Sequence, residues 1–334
     1  MTTPVKKASP FARNHLIRDG INQAIYDAMQ IDPSIYLFGE GAWIKAKYDA
    51  PQILAEFPDR IVTLPIAEDA AVNFAVGASL LGVKPVVNLI TADFAFRAMD
   101  SISNTAAKLN FILPDSEPRR TIVIQAEFLT AGPTTGQRVE ALFAHIPGLN
   151  VVIPSTPNDA YGLMRTALNL PEVTLLFEDR MILDRETATV EQLSVFSEER
   201  VPIPFGAVRH CTHPKAPSIT VVTYGLMRQL VEGLIWEHNF LEEIELLDLR
   251  TLYPTPYDDI DQSVSRTGKL LIVEPDVCFG GIGAELIAQL HEQGIQFTAK
   301  RLGAPREVIP ASREGQTRML PTQEQILEAI NGLV

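Results

Sequence analysis

The feature that most constrains the fold is an alternation of short β-branched runs with longer segments of helical periodicity. Ile35-Tyr36-Leu37-Phe38 and Pro85-Val86-Val87-Asn88-Leu89-Ile90 are typical of the strands, and segments 18–29 and 158–168 of the helices. Strands this apolar, separated by helices, predict a largely parallel sheet that is covered on both faces. The other strands predicted in this half are 60–64, 121–124, 151–153 and 174–177, and the other helices are 69–81 and 96–109.

The predicted helix at 69–81 carries a stripe of apolar residues. Ala71, Phe74, Ala75, Ala78 and Leu81 recur at the spacing of one helix face. This spacing predicts that these five side chains are buried against the sheet.

The alternation lapses once along the chain. From about 185 to 217 the sequence is charged and contains several prolines, which is the composition of a linker. We therefore predict an α/β domain at 1–190, a linker at 191–216 and a second α/β domain at 217–334. In the second domain the predicted strands are 219–225, 245–249 and 269–273, and the predicted helices include 282–292 and 322–332.

Charge and composition exclude several classes of function. The net charge of −13 argues against binding to nucleic acid or to an anionic membrane, since either would require a basic surface. The most apolar stretch, 70–90, is interrupted by polar residues and Pro85, and residues 1–13 lack the apolar core of a secretory signal. Cys211 and Cys278 have no metal-ligand partner at short spacing. We expect a soluble, cytoplasmic protein with reduced thiols.

One carboxylate lies where a ligand site is expected in such a fold. Glu68 falls between strand 60–64 and helix 69–81, at the carboxyl edge of a parallel sheet, where ligands bind in open α/β folds. The positive end of the helix dipole also favours an anion there. Position alone fits an ordinary helix-start acid equally well. The glycine run 280–285 lacks the full dinucleotide spacing and predicts tight packing of a helix on a strand.

Motifs in the same order along nearly the whole chain resemble one family. They include Pro65-Ile66-Ala67-Glu68, Ala92-Asp93-Phe94 and Phe143-Ala144-His145-Ile146-Pro147-Gly148-Leu149. The sequence resembles the beta subunit of the thiamine-diphosphate-dependent 2-oxo acid dehydrogenase decarboxylase component, of the pyruvate, branched-chain and acetoin types. This resemblance implies an N-terminal transketolase-like pyrimidine-binding domain, with a parallel sheet flanked by helices, and a C-terminal transketolase-type α/β domain.

The resemblance also implies roles for individual residues. The carboxylate of Glu68 would hydrogen-bond a ring nitrogen of the aminopyrimidine and favour the tautomer that activates the thiazolium carbon. Ile66 belongs to the same cofactor-binding segment, Phe94 matches the aromatic that packs against the pyrimidine, and Glu40 matches an acid in the polar tunnel between paired active sites. Some members hold a structural potassium ion on backbone carbonyls, which here fall on Ile122, Ala167, Leu168 and Leu170.

Half of the expected cofactor site is missing from this chain. The Gly-Asp-Gly…Asn-Asn signature that holds Mg²⁺ and the diphosphate does not occur in it. In this family an alpha subunit carries that signature. The resemblance therefore implies active sites at alpha–beta interfaces of an α2β2 heterotetramer, whose C-terminal domains usually dock to a lipoyl acyltransferase core.

Two departures from the family affect the expected reaction. The family's His-Ser-Gln falls on Thr135-Gly136-Gln137, so Gln137 is retained while Thr135 replaces the active-site histidine. A threonine cannot exchange a proton near neutral pH as that histidine does. Arg97 stands where the family has a glutamine, which adds a fixed cation beside the predicted pyrimidine pocket.

Three functions stay open at this point. The first is a 2-oxo acid decarboxylase or dehydrogenase subunit that passes an acyl group to a lipoyl or another acceptor. The second is a subunit of a transketolase- or acyloin-synthase-like carboligase, in which Arg97 would bind an acidic or phosphorylated group. The third is a non-catalytic assembly subunit, against which the retention of Glu68 and Phe94 argues.

Overall fold

A computed structural model describes residues 17–41, 44, 51–129, 132–183 and 201–333. Within these ranges the strands form one sheet of seven strands and one of five. In chain order the strands are β1 (Ile35–Glu40), β2 (Ile61–Leu64), β3 (Lys84–Thr91), β4 (Ile122–Phe128), β5 (Leu149–Val152), β6 (Val173–Asp179), β7 (Arg209–His210), β8 (Ile219–Thr223), β9 (Ile244–Asp248), β10 (Thr251–Tyr253), β11 (Lys269–Val277) and β12 (Thr298–Ala304).

Helices of very different length connect these strands. In chain order the helices are α1 (Ile17–Ile31), α2 (Pro51–Glu56), α3 (Glu68–Leu80), α4 (Ala107–Ile112), α5 (Glu140–Ala144), α6 (Pro157–Asn169), α7 (Arg180–Leu183), α8 (Gly225–Glu237), α9 (Tyr257–Thr267), α10 (Ile282–Glu292), α11 (Arg313–Thr317) and α12 (Gln323–Leu333). Of these, α1, α3, α6, α10 and α12 lie close to predicted segments, whereas α9 was not predicted.

Both sheets are parallel except at one edge. The larger has the order β10-β5-β6-β4-β3-β1-β2, and only β10 runs antiparallel to its neighbour. The smaller has the order β12-β11-β8-β9-β7, and only β7 is antiparallel. Strands β4 and β6 are buried along their whole length, which agrees with a sheet covered on both faces. The predicted α/β architecture is confirmed.

The region predicted as one helix at 96–109 instead forms three short helical segments of different type. A 3₁₀ turn spans Ala92–Phe96, a π turn spans Ser101–Ala106, and only then does α4 begin. The Ser103 hydroxyl donates to the Met99 carbonyl at 2.6 Å, and the Ser101 hydroxyl donates to the Asp69 carboxylate. Serine hydroxyls that bond backbone and neighbouring side chains compete with a regular helix, which the apolar pattern alone does not reveal.

The predicted buried face of α3 is only partly correct. Ala71 and Ala75 are buried, but Phe74 is 52% exposed and Leu81, just past the helix, is 87% exposed. Apolar residues occur on every side of this helix, so periodicity could not select the face that packs on β3. Val72, Val76 and Ser79 complete the face that is buried.

The two halves of the chain are joined through the larger sheet. Strand β10, which follows the smaller sheet's β9, pairs with β5, and the Ile153 backbone N–H donates to the Arg250 carbonyl at 2.8 Å. The predicted domain bounds stay a prediction, and their parts at 1–16, 184–190 and 191–200 lie outside the described residues. In the described part of the chain, no helix is long and apolar enough to cross a membrane.

The glycine run near α10 has the packing role that its spacing predicts. A Cβ on Gly283 would lie 2.9 Å from Ile272 Cγ2, and one on Gly281 would lie 2.7 Å from the Val277 carbonyl oxygen. The Gly283 backbone N–H donates to a Glu274 carboxylate oxygen at 3.1 Å. These glycines therefore let the helix approach β11 closely.

Candidate functional site

Two acidic residues are buried at the carboxyl edge of the larger sheet. Glu40 is the last residue of β1 and pairs in register with Leu64, the last residue of β2. The chain then passes through Pro65–Ala67 and enters α3, whose first residue is Glu68. Glu40 is 2% exposed and Glu68 is 7% exposed. The edge predicted to bind a ligand therefore holds two carboxylates that the solvent hardly reaches.

The electrostatics of Glu40 are those of an incompletely satisfied acid. Burial raises the pKa of its carboxyl group, the negative charge of Glu68 raises it further, and the Ala67 backbone N–H lowers it in part. Its Oε1 atom is buried and has no hydrogen-bond partner among the described residues. A buried oxygen without a partner is costly, and a ligand that donates a hydrogen bond would remove that cost.

Apolar side chains beside these acids are open to solvent. Ile66, two residues before Glu68, is 77% exposed. Phe74 lies on the outer side of α3, with its ring centroid 5.5 Å from that of Phe38 in an edge-on arrangement. Exposed apolar groups next to buried carboxylates form a surface that suits a flat, partly polar ring.

A backbone irregularity at the end of β3 shapes the next part of the site. Ile90 has φ 66°, a left-handed conformation that a β-branched residue rarely adopts. The Asn88 side-chain oxygen accepts from the Ile90 backbone N–H at 2.8 Å, and the register between β3 and β4 shifts between Asn88 and Thr91. This bulge turns the chain into the 3₁₀ segment that presents Asp93 and half-buried Phe94.

Asp93 holds the loop that contains Gln137. Its Oδ1 accepts from the Gln137 side-chain amide at 2.9 Å and from the Gln137 backbone N–H at 3.2 Å. Its Oδ2 faces the Thr91 hydroxyl at 3.3 Å. Thr135 lies two residues before Gln137, half-buried, and its backbone N–H donates to the Gly132 carbonyl at 3.3 Å. The structure thus brings Gln137 to the end of β3 through an aspartate to which sequence reasoning assigned no role.

Arg97 lies at the outer end of this turn. Its backbone N–H donates to the Phe94 carbonyl at 2.9 Å, and its side chain is exposed. Among the described residues it forms no ion pair. It also does not line a cavity that Gln137 helps to form between the two domains. Its position therefore allows contact with a ligand at Phe94, but it does not enclose one.

The residues suggested for a potassium ion lie at the opposite edge of the sheet. Ile122 begins β4, while Ala167 and Leu168 are buried in the last turn of α6 and Leu170 ends that helix. The Leu170 carbonyl accepts from the Thr121 hydroxyl at 2.7 Å. No cluster of three or more His, Cys, Asp or Glu residues suited to a metal occurs within the described ranges. The carbonyl site stays a prediction.

A cavity of about 760 Å³ lies between the two sheets and reaches Gln137. One wall comes from the end of β4, the loop at 133–138 and α7. The other wall comes from Ala304–Ile309 and from Gln316–Leu320 in the C-terminal half. Sequence reasoning missed this second wall, because no motif marks residues that meet only when the two halves pack together.

Family models match both halves of the chain. The transketolase pyrimidine-binding domain matches residues 15–185, and the transketolase C-terminal domain matches residues 211–326. The chain is 31% identical to the acetoin:2,6-dichlorophenolindophenol oxidoreductase subunit beta of Cupriavidus necator, over 95% of this chain and 97% of that one. The chain belongs to the 2-oxo acid dehydrogenase E1 beta-subunit family.

Other E1 beta subunits match over a similar length. The pyruvate dehydrogenase E1 component subunit beta of Rickettsia bellii is 29% identical, over 94% of this chain and 97% of its own length. The 2-oxoisovalerate dehydrogenase subunit beta of Bacillus subtilis is 31% identical, over 88% of this chain and 89% of its own. This E1 beta-subunit family member is therefore matched across both domains, as its ordered motifs predict.

A solved structure agrees with this E1 beta-subunit chain at the level of the fold. It is a split-gene transketolase in an inactive beta4 tetramer, with a TM-score of 0.79 and 18% identity, and the match covers 95% of this chain and 98% of that one. At that identity the likeness shows the two-domain fold alone. The site chemistry must be argued from the residues.

Proposed function

We propose that this chain is the beta subunit of a thiamine-diphosphate-dependent 2-oxo acid decarboxylase or dehydrogenase, and that Glu68 activates the cofactor at an interface with an alpha subunit. The observation that carries the proposal is the placement of Glu68 at the start of α3, beside the buried, unpartnered oxygen of Glu40. Membership of the E1 beta-subunit family supports it.

The described residues fit an aminopyrimidine. Such a ring has hydrogen-bonding nitrogens at its edge and apolar faces, and this edge of the sheet offers buried carboxylates next to exposed Ile66 and half-buried Phe94. Thiamine diphosphate, when bound, supplies a nucleophilic carbon and an electron sink for the decarboxylation of a 2-oxo acid. Glu68 and Glu40 would hold its polar edge, and Ile66 and Phe94 its faces.

Glu68 would act by sharing a proton with a ring nitrogen. A carboxylate suits this role because the site is dry and the nitrogen is only weakly basic. The start of a helix favours the negative charge that the task requires. Glu40 keeps the surroundings of Glu68 polar, and burial and the charge of Glu68 raise the pKa of its own carboxyl group.

Gln137 and Thr135 would face the substrate. One hydrogen bond to Asp93 fixes the side-chain amide nitrogen of Gln137 and a second fixes its backbone N–H, which leaves the side-chain carbonyl oxygen as an acceptor on the cavity wall. The Thr135 hydroxyl can donate and accept hydrogen bonds but does not titrate near neutral pH. Any proton that this reaction moves at that position must therefore come from the acceptor, the partner chain or water.

The alpha subunit completes the site in this proposal. It would supply the ligands for Mg²⁺ and the diphosphate, in an α2β2 assembly, because this chain carries no such motif. Docking to a lipoyl acyltransferase core, a potassium ion at the carbonyls of α6 and a cytoplasmic location belong to the same proposal. The beta4 assembly of the solved split-gene transketolase is a property of that protein and is not transferred to this chain.

The test is activity of the chain purified together with its alpha subunit, screened with 2-oxo acids and with dye, lipoyl and aldehyde acceptors. Glu68→Gln should lower kcat by at least ~100-fold. The matched control is Glu117→Gln, which removes an exposed carboxylate that pairs with Arg120. Full activity of the Glu68 variant would refute the role of this residue.

A carboligase is the second candidate, and the exposed guanidinium of Arg97 next to Phe94 favours it. In that case an aldehyde or sugar acceptor with an acidic or phosphorylated group should be used in preference to a lipoyl domain. Arg97→Gln should then raise KM for the acidic acceptor about tenfold or more, since a charged hydrogen bond is lost. An unchanged KM and kcat would leave the decarboxylase with a lipoyl or dye acceptor as the better description.

A further inference from the structure

The interdomain cavity has the size of a small-molecule site. Its volume of about 760 Å³ lies within the range of about 300–1,000 Å³ that is typical of ligand pockets. Gln137 occupies one part of the wall, and the proposed function gives no role to the rest. Both domains contribute to this wall, and ligand pockets often occur between domains.

The wall is mostly apolar. Phe128, Leu226 and Met319 are buried within it, and half-buried Ile309 and Leu320 extend it on the C-terminal side. An apolar chain placed there would leave water and contact side chains of both domains. The favourable free energy of burial grows with the length of the apolar chain, by about 0.8 kcal/mol for each buried methylene.

The wall carries charges of both signs. The guanidiniums of Arg138, Arg180 and Arg306 and the carboxylates of Asp179 and Glu307 line it. What matters for an anionic ligand is therefore which guanidinium has no carboxylate partner.

The three arginines differ in their hydrogen-bond and ring partners. Arg138 donates to Asp179 at 2.8 Å and to Glu140 at 2.9 Å, and its guanidinium lies 3.7 Å from the centre of the Phe128 ring. Arg180 donates to Glu127 at 3.0 Å.

Arg306 is exposed and lies 5.0 Å from the centre of the Phe279 ring, and no carboxylate among the described residues pairs with it. It is therefore the guanidinium best placed to receive a new anion. The planar fork of donors on its guanidinium matches the geometry of a carboxylate.

We propose that the interdomain cavity binds a small organic acid with an apolar chain, the chain lying between the two domains and the carboxylate on Arg306. The proposed function uses only Gln137 on this wall. Binding at Arg306 goes beyond that function, since it needs neither the cofactor nor an alpha subunit. It would give the C-terminal segment 304–309 a ligand-binding role beside Gln137.

Calorimetric titration of the full chain tests the proposal, with butanoate, hexanoate and octanoate as probes. The dissociation constant should fall about fourfold for each added methylene, the equivalent of 0.8 kcal/mol. Octanamide, which keeps the chain and lacks the charge, should bind at least about tenfold more weakly than octanoate. Binding that does not depend on chain length, or no preference for octanoate over octanamide, would overturn the proposal.

A pair of variants identifies the cation. Arg306→Gln should remove the preference for octanoate and leave octanamide binding unchanged. Arg318→Gln is the control, because Arg318 is exposed, pairs with Glu314 and does not line the cavity. A preference retained in the Arg306 variant would overturn the assignment.

The same titration on Glu68→Gln separates the two proposals. Octanoate should bind that variant as tightly as the unmodified chain, whatever the variant does to turnover. Loss of octanoate binding in the Glu68 variant would contradict a site that is independent of the cofactor edge.

Discussion

Buried acids in two regions of this molecule are satisfied in opposite ways. At the contact between the domains, Asp159 is 1% exposed and accepts from Arg250 at 3.1 Å and from Arg209 at 3.3 Å. Burial alone would raise the pKa of Asp159, but these guanidiniums hold it below its usual value. At the sheet edge, Glu40 is equally buried and its carboxyl group has a raised pKa. Among the described residues it has no cationic partner, and one of its oxygens has no hydrogen-bond partner.

The difference separates a structural charge from one kept for a ligand. A buried acid paired with arginines stabilises the contact in which it lies, because each partner compensates the other's loss of water. A buried acid left incompletely bonded lowers stability, so its retention calls for another reason. Glu40 fits the second description, and Glu68 is buried next to it.

The largest effect is expected where the paired acid loses its cation. Arg250→Met should lower the free energy of unfolding by about 3 kcal/mol, because Asp159 would keep only part of its compensation and the Ala207 and Val208 carbonyls would each lose a donor. Urea unfolding of the full chain measures it. The control is Arg318→Met at an exposed ion pair, where a loss of at most about 1 kcal/mol is expected. Equal losses of unfolding free energy in the two variants would mean that the buried pair with Asp159 stabilises the protein no more than an exposed ion pair does.

A third kind of buried acid gives an effect that depends on pH. Glu274 is fully buried, and its Oε1 has no hydrogen-bond partner among the described residues, although Arg301 Nη1 lies 4.0 Å away. Burial raises the pKa of its carboxyl group to about 8. Between the ordinary carboxyl pKa and about 8 the unfolded chain has released this proton while the folded chain keeps it. Stability should therefore fall as pH rises through that window and level off above it.

Glu274→Gln tests this balance, since the amide keeps the shape and never titrates. The unmodified chain should lose stability relative to the variant by about 1 kcal/mol per pH unit through the window. Urea unfolding at several pH values measures the difference between the two proteins. Parallel pH profiles would mean that Glu274 is charged in the folded chain.

Smaller effects are expected at the sheet edge. Glu40→Gln should raise the free energy of unfolding by about 0.5 kcal/mol near neutral pH, because it removes the repulsion from Glu68. Glu68→Gln should change stability by no more than about 0.5 kcal/mol, while it lowers turnover as proposed above. Thermal unfolding of both variants beside the activity assay measures these effects. A loss of several kcal/mol of unfolding free energy in the Glu68 variant would mean that Glu68 has a structural role, as Asp159 does.

Much of the fold could be predicted from the pattern of the sequence. Strands β1, β3, β6 and β8 and the helices α1, α6 and α10 lie within a few residues of their predicted bounds. They share strong local signals, which are apolar β-branched runs for the strands and spaced apolar residues for the helices. Where the local signal was ambiguous the prediction failed, as at Phe74, which is exposed although the helical spacing counted it as buried.

The candidate site was predicted in its residues and not in its geometry. The motif around Glu68 predicts a cofactor edge, which stays a prediction, and no local pattern indicates that Asp93 anchors Gln137 across 44 residues of sequence. The left-handed conformation of Ile90 also has no local signature, since an isoleucine predicts an extended strand.

The sequence by itself determined the α/β class and the E1 beta-subunit family, because those depend on residue order and on local periodicity. Only the tertiary structure decided which buried acids are paired, and that residues 304–309 meet the loop of Gln137 around a cavity. The reason is that pairing, burial and enclosure arise between segments far apart in the chain. They exist only once the two sheets have packed together.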